Sequence, residues 1–159
     1  KMRSLVEQGM NDGAVGLYNN KFGIPATQIY TKLRSSGLIS SDVTFDDEVE
    51  WTYYYLWHHE GRRARMGASM FAPDYTQWHG FFEVADRFYV HFIPQVLEIV
   101  DHAIKEGGAK ATAGEEVKKL VEEVLARDDH RWYTGNESEE VKKARLKASE
   151  EFKKRYSNK

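Results

Sequence analysis

Apolar residues recur along this chain at spacings of three and four, the period of helices that bury one face. The longest run is Phe81, Val84, Ala85, Phe88, Phe92, Val96, Ile99, Val100 and Ala103. It predicts one long amphipathic helix, with Asp74 as its cap or in its first turn, a kink at Pro94 and a stop at Gly107 and Gly108. Upstream, Val49, Tyr53, Leu56, Trp57 and Glu60 share a stripe, and Tyr53, Tyr54 and Tyr55 together go round the helix, which suggests burial on several sides. Asp46 is the expected N-cap here, with Asp47 and Glu48 in a first turn where carboxylates suit the helix dipole. That helix should run to about Gly67 or Met70 and be ended by Pro73, because the residue before a proline is pushed out of the α region.

The flanks carry weaker patterns. Leu5, Val6 and Met10 suit a short helix, after which Gly13, Gly16, Asn19 and Asn20 predict a loop. Pro25 opens a helix with Ile29, Tyr30 and Leu33 on one face and Gly37 at the position of a C-terminal cap. Residues 115–126 form another, with Val117, Leu120, Val121, Val124 and Leu125 inward. A polar loop follows around Trp132 and Tyr133, and Asn136 with Glu139 has the form of a capping box. The last helix runs from Glu139 to about Tyr156 on a thin stripe of Val141, Ala144, Ala148 and Phe152, which needs a partner such as a neighbouring subunit. With no strand, repeat or low-complexity tract, the fold class is all-α: a bundle of about five or six helices, one of them long and Pro-kinked. Residues 1–45 lead in, 46–106 form the long site-forming helices, and 107–159 form a C-terminal helical pair.

Composition narrows the chemistry. The chain has 159 residues, is 41% apolar and 13% aromatic, and can bury a core as one domain. Its net charge of −2 gives no general attraction to nucleic acid or to an anionic membrane. The absence of cysteine excludes disulfides, thiolate metal sites, a Cys nucleophile and a C-x-x-C-H haem attachment site within these residues. No run approaches the ~18 apolar residues of a membrane span. The opening K-M-R-S-L-V is not a signal peptide, and its start in mid-pattern reads as a piece of something longer.

The unusual residues fall between Trp57 and Val84, where three of the six histidines lie. His58 and His59 point about 100° apart on a regular helix, so they cannot share one metal, although one could supply a single axial nitrogen to a haem iron. His59-Glu60 lacks the second histidine of a zinc-protease helix. On pattern alone, a hydrogen-bonded helix contact is the plainer reading of either. Arg62, Arg63 and Arg65 suit carboxylates or phosphates, or an ion-paired surface. Tyr75 and His79 share a helix face, and Gly80 would let another backbone or a flat ring approach. Tyr75 suits hydrogen-bond donation or a covalent or redox link to a cofactor; otherwise it is a core aromatic. Met66, Met70 and Phe71 read as core or interface filler, and His91, His102 and His130 as structural or surface residues.

The run W-H-H-E-G-R-R-A-R-M-G-A-S-M from Trp57 to Met70, then A-P-D-Y-T-Q-W-H-G from Ala72 to Gly80 and F-E-V-A from Phe82 to Ala85, resembles the C-terminal region of the hydroxylamine oxidoreductase-like multihaem cytochromes c. The likeness is dense over about residues 40–105. It implies a piece of a larger, periplasmic or otherwise extracytoplasmic bacterial enzyme (the anammox organelle included) that carries haem c and oxidises hydroxylamine or hydrazine. Such enzymes form homotrimers and pass electrons to an accepting cytochrome. By the same resemblance Tyr75 is the tyrosine that bonds to the catalytic haem of a neighbouring subunit. Relatives that run reductively lack that tyrosine, so its presence favours oxidation. His58, His59 and His79 would ligate or line a haem, with His59 or His58 as a possible axial ligand, and Arg62 and Arg63 would lie near propionates. The departure is the missing C-x-x-C-H: the haem must be attached by residues outside this segment, in a haem-bearing remainder of the protein. Two other readings are a structural or oligomerisation domain, and a soluble helical module that binds an anion through the His and Arg cluster.

Overall fold

The computed structural model describes residues 13–156, and the expected helix over Leu5, Val6 and Met10 lies outside them. Among the described residues the chain is all-α: six helices and no strand. Helix α1 spans 14–35, α2 spans 48–69, α3 spans 73–106, α4 is Gly108–Leu125, α5 is Arg131–Thr134 and α6 is Glu139–Tyr156. The chain divides into two compact units between Glu122 and Glu123, inside α4.

In the first unit, α1, α2 and α3 run antiparallel in turn. The start of α1 packs on Gly61–Ser69 and its end on Glu48–Tyr54, while α2 packs along α3 from Pro73 to the segment Ile93–Glu106. The stripe foreseen along α3 is the core. Val84, Phe88, Phe92, Val96 and Val100 are fully buried, as are Ala26, Ile29 and Leu33 of α1 and Val49, Leu56 and Ala64 of α2. Each such side chain contributes about 1.5–3 kcal/mol through burial. Phe22 meets Phe88 and Tyr89 edge-on, with centroids 5.5 and 5.9 Å apart. Tyr53 and Tyr54 are half-buried, whereas Tyr55 stays exposed, so burial round α2 is less complete than its three tyrosines suggest.

Each long helix contains wide, π-helical turns: Asn19–Gly23 in α1, Tyr55–Glu60 in α2, and Gln77–Phe82 and Arg87–Phe92 in α3. The loop expected near Gly16 and Asn19 is therefore helix. Gly16 is buried, and the asparagines enter a π turn that runs on into Ile24–Ser35. Where a kink is expected, at Pro94, the helix again widens. The Ile93 N–H donates to the Phe88 carbonyl five residues back, and the proline, which has no N–H of its own, follows this widened turn.

The caps differ in detail. Asp47, with extended backbone, is the N-cap of α2 in place of Asp46, which lies one residue too early. At the end of α1 the Leu38 N–H donates to the Leu33 carbonyl at 3.1 Å and Gly37 has φ 69°, the Schellman geometry that Gly37 predicts. Gly107, at φ 84°, ends α3 as expected. Helix α4 begins at Gly108, seven residues before the predicted start, and Gly114 lies against Val100 and Ile104 of α3.

In the second unit the predicted loop contains α5, closed by left-handed Gly135. The cap of α6 is Ser138, whose Oγ accepts from the Val141 N–H at 3.3 Å, in place of Asn136. Along α6, Val141, Leu146 and Phe152 are exposed.

Candidate functional site

The turn between α2 and α3 carries the densest unusual chemistry, and small residues explain its shape. A Cβ on Gly80 would lie 2.7 Å from Ala64 Cα and 2.5 Å from the Tyr75 carbonyl oxygen; on Gly67 it would lie 2.9 Å from the Thr76 nitrogen. The two helices are thus in near-backbone contact, the close approach that Gly80 predicts. The turn is a Schellman motif, with Ala72 N–H donating to the Gly67 carbonyl at 2.9 Å and Phe71 N–H to the Ala68 carbonyl at 3.3 Å. Its left-handed position, usually glycine, is Phe71 at φ 53°. Pro73 then opens α3 with Asp74 in the first turn.

With backbone filling the inside of this hairpin, its larger side chains face out. Met66, Met70, Phe71, Tyr75, Trp78 and Phe82 are all exposed, Phe71 at 93% and Tyr75 at 55%. None of the three residues read as core or interface filler (Met66, Met70, Phe71) is core. A groove of about 500 Å³ lies among them, lined by Arg62, Arg63, Met66, Met70 and Tyr75. Arg62 is exposed and makes no ion pair among the described residues, whereas Arg63 pairs with Glu83 and reaches the His79 carbonyl at 3.4 Å. His79 places its ring 5.8 Å from that of Tyr75 and its Nδ1 3.0 Å from Glu83, with Asp74 3.7 Å from Nε2. Tyr75, His79, Arg63, Glu83 and Asp74 therefore form one local network beside an apolar groove.

His58 and His59 belong to a different cluster. They sit in the π turn of α2 among Tyr54, Tyr55 and Trp57. The His58 ring stacks on Tyr54 at 4.7 Å, and its Nδ1 is buried without a hydrogen-bond partner among the described residues. Desolvation, then the charge of Arg62 and then His59, lower the His58 pKa and favour the neutral imidazole, the form that can donate a lone pair. His59 lies 5.0 Å from the Tyr55 ring. No hydrogen bond or ring contact among the described residues joins this pair to Tyr75 or His79; Arg62, felt by His58 and lining the groove, is what the two clusters share.

Sequence reasoning missed two things here. Glu83 as a partner of His79 was readable from its spacing of four. The pair of buried Glu60 and half-buried Arg87, at 2.9 Å between α2 and α3, is 27 residues apart and had no local signal. His91 and His102 are surface residues near Asp86 and Glu106, and His130 is fully buried. Asp46, Asp47 and Glu50 have carboxylate oxygens within 4.8 Å of one another, but Glu50 already accepts from the Tyr30 hydroxyl at 2.9 Å and from the Asp46 N–H at 3.2 Å, the bonding of a helix start.

The chain matches no family model, no curated protein and no solved structure. No helix among the described residues is long and apolar enough to cross a membrane.

Proposed function

We propose that this chain is the C-terminal helical part of a multihaem c-type oxidoreductase of hydroxylamine or hydrazine, and that Tyr75 is the residue it offers to a catalytic haem on a neighbouring subunit. The observation that carries this reading is the setting of Tyr75: an exposed phenol lining an apolar groove, with the Arg62 guanidinium, which has no ion pair among the described residues, also in the lining. Such a lining suits the edge of a flat, apolar ring bearing carboxylates. The chain has no cysteine, so the haem c is attached by the haem-bearing remainder of the protein. When bound, that group supplies the redox chemistry.

The chain's own residues orient and enclose. The contact of Gly80 with Ala64 fixes the turn that carries Tyr75, and Asp74 and Glu83 hold His79 beside it. Arg62 would be the propionate partner, since Arg63 is already engaged by Glu83. His58 and His59, in their aromatic cluster, would line a second haem, and one of them would offer its imidazole to the iron. The exposed side chains around Phe71 pack between subunits of a homotrimer, in an extracytoplasmic compartment, with an electron-accepting cytochrome as further partner.

The test is an intact-mass and visible-absorption measurement on native material under denaturing conditions. Haem retained on this chain, mapped to Tyr75 and lost in Tyr75→Phe, is the expected result. A colourless polypeptide at 18.4 kDa would remove the covalent link.

A second reading rests on α6. Its exposed Val141, Leu146 and Phe152 suit a purely structural, oligomerising role. Under that reading sizing shows assembly, and Tyr75→Phe leaves any cofactor spectrum unchanged.

A further inference from the structure

A second groove lies between α1 and α2, where each has a π turn. Asn19 and Gly23, from the π turn of α1, line one side, and Trp57, from that of α2, lines the other. Such turns occur often at functional sites. The groove holds about 350 Å³, and Tyr18, Thr27, Gln28, Tyr53, Trp57 and Arg65 are the side chains that give it its chemistry. Among the described residues, no carboxylate lines it.

Arg65 is the one cation among its described lining residues. The guanidinium lies 4.5 Å from the centre of the Tyr18 ring and donates to the Trp57 carbonyl at 3.3 Å, and it has no ion pair among the described residues. The Tyr18 ring beneath it is clamped: a Cβ on Gly61 would fall 2.5 Å from the ring, and one on Gly23 would fall 2.9 Å away. The Tyr18 hydroxyl is buried and has no hydrogen-bond partner among the described residues. Burial pushes its pKa up to about 12, which keeps it a donor at neutral pH. The Thr27 and Tyr53 hydroxyls hydrogen-bond at 2.9 Å on the opposite wall, and the Trp57 indole is 40% exposed.

Among the described residues, a guanidinium without an ion pair, a buried phenol without an acceptor, an exposed aromatic wall and a lining without a carboxylate are the features of an anion site for an aromatic molecule. We propose that this groove binds a small aromatic carboxylate, its carboxylate on Arg65 and its ring against Trp57 and Tyr53. As Arg65 turns from the Tyr18 ring to the ligand, the phenol below is uncovered and gains an acceptor. This site shares no lining residue with the groove of Tyr75 and requires no haem, so it stands independently of the proposed oxidoreductase role.

The test is a titration of the full chain with 3-phenylpropionate, read by amide and indole NMR shifts. Saturable shifts centred on Gly23, Thr27, Trp57 and Arg65 are expected, with 3-phenylpropanol, which has nearly the same shape without charge, about tenfold or more weaker. Arg65→Gln should weaken binding by about the same factor. Gln28→Glu, at an exposed position that leaves the fold intact, should also weaken it by setting a like charge in the lining. Tyr75→Phe should leave it unchanged. Equal affinity for the alcohol, full binding by Gln28→Glu, shifts centred on Arg62 and Tyr75, or no shifts at millimolar ligand would each overturn the proposal.

Discussion

The two faces of the α2–α3 hairpin are built on opposite terms. Inside, a Cβ added at Gly67 or Gly80 would strike the Thr76 nitrogen or the Ala64 Cα, and the Glu60 carboxylate, 5% exposed, meets Arg87, whose side chain is 30% exposed. Outside, Met70, Phe71, Tyr75, Trp78 and Phe82 stand in solvent, and Arg63 meets Glu83 with both side chains about a third exposed. The inner face fixes geometry and the outer face displays it. A displayed apolar patch does nothing for an isolated chain, so its use lies with whatever covers it.

The two ion pairs give the largest expected contrast. Arg87→Met leaves the Glu60 carboxylate, 5% exposed, without its cation and should cost about 3–5 kcal/mol. Glu83→Gln on the outer face should cost less than about 1 kcal/mol. Equal losses in denaturant melts would remove the distinction between the faces.

Next in size is an alkaline loss of stability from the contact of α1 with α2, where Tyr18 is buried against Gly61. The pKa of Tyr18 is raised to about 12, mainly by burial, whereas the unfolded phenol titrates near 10. The unfolded chain therefore loses this proton first. Stability should be intact below about pH 10 and fall by about 3 kcal/mol as the pH rises through 12. Tyr18→Phe should abolish that part of the decline; an unchanged alkaline profile would place the loss elsewhere. Smaller again is Gly80→Ala. The added carbon would press on the Ala64 and Tyr75 backbones, and overpacking should outweigh the gain in helix propensity, for a net cost of about 1–3 kcal/mol. Shifted Tyr75 and His79 resonances would show that the inner contact sets the outer display.

Which of these features could be read from the chain follows from the range of the forces involved. The α3 stripe was legible because Val84, Phe88, Phe92, Val96 and Val100 repeat at helical spacing and all reach the core. Gly80 signalled a close approach, and Tyr75 with His79 followed from a spacing of four. The segment 108–114, G-A-K-A-T-A-G, has no large apolar residue to give a period, and its helix lies against Val100 and Ile104 of α3. The π turns change the period locally, so Asn19 and Asn20 resembled a break. Glu60–Arg87, Arg63–Glu83 and Arg65 over Tyr18 join residues 20 or more positions apart and exist only once the helices have met.

The smallest expected effect has the opposite sign. Phe71 occupies a left-handed position at φ 53°, where a side chain costs about 1–2 kcal/mol and glycine costs nothing in sterics. Its ring is 93% exposed, so burial within this chain offsets almost none of that cost. Phe71→Gly should therefore stabilise the isolated chain by about 1 kcal/mol and raise its Tm by roughly 2–4 °C. The same substitution should weaken assembly with whatever covers the patch, since a large aromatic at the tip of a rigid turn is well placed to anchor an interface. A variant that gains stability and loses assembly would show that the strain at Phe71 is held for an intermolecular contact. A variant that loses stability would mean that the ring packs within the chain after all, and the contrast between inner and outer faces would end at the turn itself.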